Sequence, residues 1–303
     1  MLHSLQDDDA SVPQSGMAAV PFAFLESVCA TLRKDSLGTV RSLPDAPSWS
    51  SVAEKVEAQT KHFKLKVFLH GLRKFSYDPS ISFEEAKQAK YLQCSLLSFT
   101  PSYLDQNSTW KVDLPKLLAA VHTKELDMYS IDLTYFESYL NNINPWSLTT
   151  VFIYNCKFKS ALLLSCWLKK ILANKCLSTF SIIQNSFAEP MDPPVDFKEE
   201  LYDGIVSRGH LDHVAVHNND SIKDLDISFF KRVLNYWITS RSGFQRQLRV
   251  CAHLKRKEKK RKIMKNLYDF GELDELLHAS GRENVKIDFV GHILYLEFDL
   301  YKM

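Results

Sequence analysis

Three histidines crowd one short stretch, His210, His213 and His217, and imidazoles this close could hold a metal ion. Strand alternation argues otherwise. His213 and His217 fall on the face opposite Val214 and Val216, and His210 precedes the strand, so all three are expected to face solvent. The run KRKEKKRK at 255–262 is the densest charge in the chain. It could be a nuclear address or a phosphate-contacting patch, but no aromatic residues interleave it as single-strand binding requires, and a solvated loop or helix start is the simpler expectation. No carboxylate can be placed opposite another from sequence, so no acid–base pair is assigned. The motifs G-x-S-x-G, G-x-G-x-x-G, the Walker loop, H-E-x-x-H and paired cysteines do not occur. The chain is therefore expected to catalyse nothing and to need no metal or cofactor.

What these residues are mounted on must follow from the rest of the chain. Its 303 residues are 45% apolar and 24% charged, enough to bury a substantial core without staples. A net charge of +2 gives no global field toward nucleic acid or an anionic membrane, so neither is an expected partner; binding in the nucleus through 255–262 stands as the alternative. No stretch approaches the roughly 18 apolar residues of a membrane helix, and the first twenty residues lack a basic start followed by an apolar core. A cytoplasmic or nuclear location is expected. Cys29, Cys94, Cys156, Cys166, Cys176 and Cys251 form no C-x-x-C pair, and they read as reduced, buried thiols.

Residues 1–16 have the composition of a disordered tail. Residues 17–58 hold three short helical patterns, 22–32, 37–43 and 49–56, with Asp35 or Ser36 and Ser48 or Ser50 as candidate N-caps and Pro44 and Pro47 breaking the second from the third. Phe63, Leu65, Val67 and Leu69 alternate as in a half-buried strand, a second strand is expected near Phe75 and Tyr77, and residues 83–99 fit helix or strand. Residues 59–110 are read as a connector.

From 111 to 303 a spacing recurs, L-x-x-L-x-L-x-x-N/C, which in leucine-rich repeats turns apolar side chains inward from a short strand and closes the bend with Asn or Cys. It is met by Leu148, Val151, Ile153 and Cys156, by Leu177, Phe180, Ile182 and Asn185, and by Leu211, Val214, Val216 and Asn219. Leu126, Met128 and Ile131 fit in part upstream, and Leu248, Val250 and His253 downstream. Amphipathic helices are expected over 133–143, 161–172, 197–206 and 227–238. Trp167 and Trp237 sit at helical spacing with core residues, whereas Trp146, Tyr154 and Tyr236 could anchor a partner. The expected fold class is α/β: a three-helix cluster followed by an irregular leucine-rich-repeat-like strand–helix solenoid, with Thr150, Tyr154, Ser181, Asp212, His213 and Ala215 exposed to an unknown protein partner.

Val20-Pro21, Phe24-Leu25, Val28, Leu32, Leu37, Val40 and Trp49 resemble an F-box, although residues 43–48 carry two prolines where that module keeps helix. The chain from Met17 onward resembles the nematode-expanded family of F-box-like proteins with a divergent C-terminal half. That resemblance implies docking on the Skp-type adaptor of a cullin-based ubiquitin ligase through Pro21, Leu25, Val28, Leu32, Leu37 and Trp49. The remainder of the chain would then capture a protein substrate.

Overall fold

Apolar residues at helical spacing near the N-terminus need a partner face, and three short helices supply one another. In the computed structural model, which describes residues 21–32, 34–70, 74–101, 113–253, 275–290 and 293–300, these are α1 (Phe22–Thr31), α2 (Lys34–Arg41) and α3 (Pro47–Gln59). The tail 1–16 and the basic run 255–262 lie outside the described residues. Leu25 and Cys29 of α1, Leu37 of α2 and Val52, Ala53 and Val56 of α3 form one core, with Leu32, Val40 and Trp49 packed against it. Pro47 opens α3, where its missing N–H leaves no helical bond unmade. Asp35 and Ser36 lie inside α2, and Ser48 and Ser50 inside α3, so none of the expected caps sits at a cap position. Ser50 instead donates to Leu43 O at 3.2 Å and so ties down the turn between the two helices.

The chain divides into two compact units. One runs up to Lys61 and includes Lys87–Leu92; the other holds His62–Ala86 and the chain from Gln93 onward. The segment 59–110, expected as a connector, contributes three strands to the main sheet: β1 (Thr60–His70), β2 (Lys74–Pro79), antiparallel to β1, and β3 (Tyr91–Pro101). Between the last two lies α4 (Phe83–Gln88). It begins in a capping box, with Glu85 N donating to Ser82 Oγ at 3.1 Å and Ser82 N to Glu85 Oε2 at 2.8 Å. Residues 83–99 are thus helix first and strand second.

Strand and helix then alternate: α5 (Leu114–Ala120), β4 (His122–Tyr129), β5 (Thr150–Tyr154), β6 (Lys157–Ser160), α6 (Ala161–Leu172), β7 (Thr179–Ile183), β8 (Ser186–Glu189), α7 (Lys198–Ile205), β9 (His213–His217), α8 (Ile227–Thr239) and β10 (Leu248–His253). Ser160 caps α6 and Asp226 caps α8, each side chain accepting from the third N–H onward. β11 (Glu275–Leu277), β12 (Glu283–Val290) and β13 (Ile293–Leu300) complete an eleven-stranded sheet of order β11-β12-β13-β10-β9-β7-β5-β4-β3-β1-β2. The run β3-β4-β5-β7-β9-β10 is parallel throughout and never reverses direction across the sheet. Right-handed crossovers between strands in that order carry every connecting helix to the same face. None of these connecting helices then covers the other face, which is termed the open face.

The register matches the spacing legible in the sequence. Leu126, Val151, Phe180 and Val214 form one ladder row and Met128, Ile153, Ile182 and Val216 another, all of them buried on the helix-covered face. The downstream unit is displaced by two residues: Val250, not Leu248, pairs with Val214. A shift of two keeps each side chain on its face, so the sequence pattern tolerates it. The helix expected over 133–143 is two 3₁₀ turns, Glu137–Asn142 and Pro145–Ser147. Pro145 excludes helical geometry from its predecessor, and Asn141, Asn142 and Asn144 favour local turns. Trp167 and Trp237 are buried as expected, whereas Cys166 and Cys176, expected buried, are exposed.

After β4, β5, β7 and β9 the chain turns through a left-handed residue, at Ser130, Asn155, Gln184 and Asn218. The residue that follows closes the corner. Asn185 accepts from Cys156 N at 2.9 Å, and its Nδ2 donates to Ile153 O at 3.3 Å and to Asn219 Oδ1 at 2.9 Å. Asn219 in turn accepts from Asn185 N at 3.1 Å and donates to Ile182 O at 3.0 Å. Beyond the corner, β6 and β8 pair in a second short parallel sheet. Asn185→Ala leaves the buried Cys156 N–H without an acceptor and is expected to cost about 2–3 kcal/mol. Urea denaturation measures it, and a loss under about 0.5 kcal/mol would show that the carboxamide ladder does not carry the turn.

Candidate interaction surface

The open sheet face is built by alternation: once one residue of a strand points at the helices, its neighbours point away. In β4 the outward residues are Glu125, Asp127 and Tyr129, and in β5 they are Thr150, Phe152 and Tyr154, paired one to one in that order. The Tyr129 and Tyr154 rings stack with centroids 5.1 Å apart and planes 11° from parallel. Phe152 continues the row, 6.5 Å from Tyr154. Tyr129 is 51% exposed, which is unusual for an aromatic side chain in the middle of a sheet.

Of the residues expected to meet a partner, Thr150, Tyr154 and His213 lie on this face and are half-exposed. Ser181 and Ala215 lie on it too but are buried. Their side chains are short, and taller ones stand at the neighbouring ladder positions, Phe152 beside Ser181 and Ile183 and His217 along the strands. Asp212 precedes β9 and is not on the face; its carboxylate pairs with Arg246 Nε at 3.1 Å. The sequence reading missed Asp127, Tyr129 and Phe152. The parity of Leu126 and Met128 was sufficient to find them.

The three histidines do not simply face solvent. His217 is buried, and His213 is held below its ordinary pKa by burial first and Arg249 second. His210 is pushed down to about 4 by burial, with Arg208 and Arg246 adding to the effect. Those two arginines instead satisfy backbone carbonyls, Arg208 at Leu172 O and Arg246 at Ile205 O and Leu211 O. Among the described residues no group of three or more His, Cys, Asp or Glu side chains is placed to hold a metal. The most buried carboxylate, Glu283, is fully engaged by Trp237 Nε1–H at 2.9 Å, Phe244 N–H at 2.8 Å and Gln245 N–H. His278 Nε2 lies 2.8 Å from Trp237 O. This cluster fixes the loop after α8.

In the helical unit, Leu25 and Leu37 are core residues at 1% exposure, so their side chains hold the cluster together and cannot reach an adaptor. Val28, Leu32 and Trp49 are half-buried and Pro21 is exposed. Two residues of α1 with more to offer a partner are Phe22 and Phe24, 50% and 55% exposed. Lys55 Nζ lies 5.0 Å from the Phe22 ring centroid.

No family model matches the chain, and no curated protein is similar to it. No helix among the described residues is long and apolar enough to cross a membrane.

His210, beside α7 and away from the open face, supplies a test of the electrostatics around it. Its folded pKa lies below the ordinary 6.5, so as pH falls the unfolded chain takes up the proton first. Stability contributed by the neutral imidazole is present above about 6.5 and is lost as pH falls toward about 4. Urea midpoints across that window should fall less steeply for His210→Gln than for the wild type, and parallel curves would show that burial does not depress this imidazole.

Proposed function

We propose that the protein is a non-catalytic interaction protein, a substrate-receptor subunit of a cullin-type ubiquitin ligase. The observation that carries the interaction reading is the stacked aromatic row Tyr129–Tyr154–Phe152, standing in the open on a sheet whose other face is filled. Exposing apolar rings on a rigid sheet opposes folding unless a partner covers them. The parallel run is read as an irregular leucine-rich-repeat-like stack, supported by its unreversed strand order, the recurring left-handed turn and the asparagine ladder.

The ligase reading rests on the helical unit and its resemblance to an F-box. Pro21, Phe22 and Phe24 would meet the Skp-type adaptor, with Val28, Leu32 and Trp49 at the margin and Leu25 and Leu37 acting through the core. Such a receptor does no chemistry: it raises the effective concentration of a substrate lysine beside a conjugating enzyme.

Co-purification with the adaptor tests the assignment. The double variant Phe22→Ala/Phe24→Ala should lose the adaptor by tenfold or more, on the order of the effect of two hot-spot residues, while unfolding at an unchanged urea midpoint. If the intact chain does not bind the adaptor, the ligase role falls and only the interaction role of the sheet remains.

A further inference from the structure

Asp127 sits in the middle of the open face, between Glu125 and Tyr129 along β4 and opposite Phe152 on β5. Elsewhere on the molecule partly buried carboxylates have cations: Asp132 meets Lys157, Asp196 meets Lys223 and Asp226 meets Lys198 at 2.6 Å. Among the described residues no lysine, arginine or histidine pairs with Asp127 or with Glu125. Basic residues of the same face stand far along the row, Arg249 and Lys286 on either side of Glu297; Arg249 is already taken, 2.7 Å from Glu297 and over the Tyr295 ring at 4.9 Å. Among the described residues the face therefore has a neutralised side at β10 and an acidic side at β4 that none of them compensates. The acidic side is where the exposed rings are. Next along the row from Phe152, Ser181 is fully buried, and its hydroxyl has no hydrogen-bond partner.

We infer that this face takes a lysine or arginine side chain of a protein partner, its cation paired with the Asp127 carboxylate and its stem laid over the Phe152, Tyr154 and Tyr129 rings. The chemistry is complementary at each point. A guanidinium or ammonium group is attracted to ring faces and makes a charge-assisted hydrogen bond to a carboxylate, and both gain strength where water is excluded. The aliphatic stem covers apolar surface that would otherwise stay wet. Burial alone already holds the Asp127 carboxyl above its ordinary pKa, as expected of an acid whose counter-charge is missing. An acidic or wholly apolar segment would leave that carboxylate desolvated and unpaired, which costs more than the rings return.

The inference rests on the reading of this face as a partner-binding surface, and one experiment separates the two. A displayed library of random twelve-residue peptides is panned against the full-length chain. The best binders are then measured by titration against the wild type, Asp127→Asn and Tyr129→Ala/Tyr154→Ala, each checked for an unchanged unfolding midpoint. The expected result is a shared Lys or Arg in the selected peptides. Binding should weaken about tenfold in Asp127→Asn and about tenfold when that peptide residue becomes Gln, with little further loss when both changes are combined. Peptides that depend on Tyr129 and Tyr154 but share no basic residue, or that ignore Asp127→Asn, would overturn the cation site and leave the partner-binding face standing. If no selected peptide is sensitive to any of the three positions, both fall together.

Discussion

At the ends of β5 and β7 the backbone leaves the sheet through a left-handed residue, Asn155 or Gln184, and the N–H that follows is carried into the interior. Water cannot reach it there, and the ladder has no carbonyl left to offer. The side-chain carboxamide of the next unit answers that demand: Asn185 reaches back to Cys156 N and Ile153 O, and Asn219 reaches back to Asn185 N and Ile182 O. The units of β7 and β9 thus complete the ones before them. This obligation fixes the register, since a slip of one residue would remove the carboxamide and turn the apolar rows outward at the same time.

From that register follow the two faces. Because every strand is laid beside its predecessor in the same sense, the connections α5 to α8 stay on one side and their apolar stripes meet Leu126, Val151, Phe180 and Val214. The edges of the parallel run are closed by other means. β13 pairs antiparallel with β10, β12 and β11 extend it, and β1 with β2 lies beyond β3. No inner parallel strand is left as an edge that could pair with another chain. What the parallel run presents is a face and not an edge, and that face offers side chains instead of unpaired backbone groups.

Part of this was legible in advance because a period of two with a polar corner is a demanding pattern. Leu148, Val151, Ile153 and Cys156 set the spacing, their counterparts repeat it, and the ladder rows fall in that register. Exposure was harder to read. Alternation says which way Ser181 and Ala215 point, but how much water reaches them depends on the height of side chains on other strands. In the helical unit the same logic misled in the other direction. The regularly spaced Leu25 and Leu37 are those that the three helices bury among themselves, so the large apolar side chains that α1 exposes are the off-pattern Phe22 and Phe24. The strands β12 and β13 alternate plainly through Val285 and Ile287 and through Leu294, Leu296 and Phe298, but they lie beyond the last repeat and carry no corner residue to announce them.

Two carboxylates show how the fold distributes its donors. Glu283 is wholly buried and receives an indole N–H and two backbone N–H groups, with Gly243 close enough beside it that even a methyl group would collide with the carboxylate. The loop after α8 is shaped around that charge. Asp127 is half-buried among rings and receives nothing comparable from the described residues. A desolvated charge without donors is unfavourable in an isolated chain, and the same sheet could have carried a threonine there, as it does at Thr150 and Thr179. The asymmetry is informative because both residues face the same physical requirement. Inside the loop it is met by the chain itself; on the open face no described residue meets it.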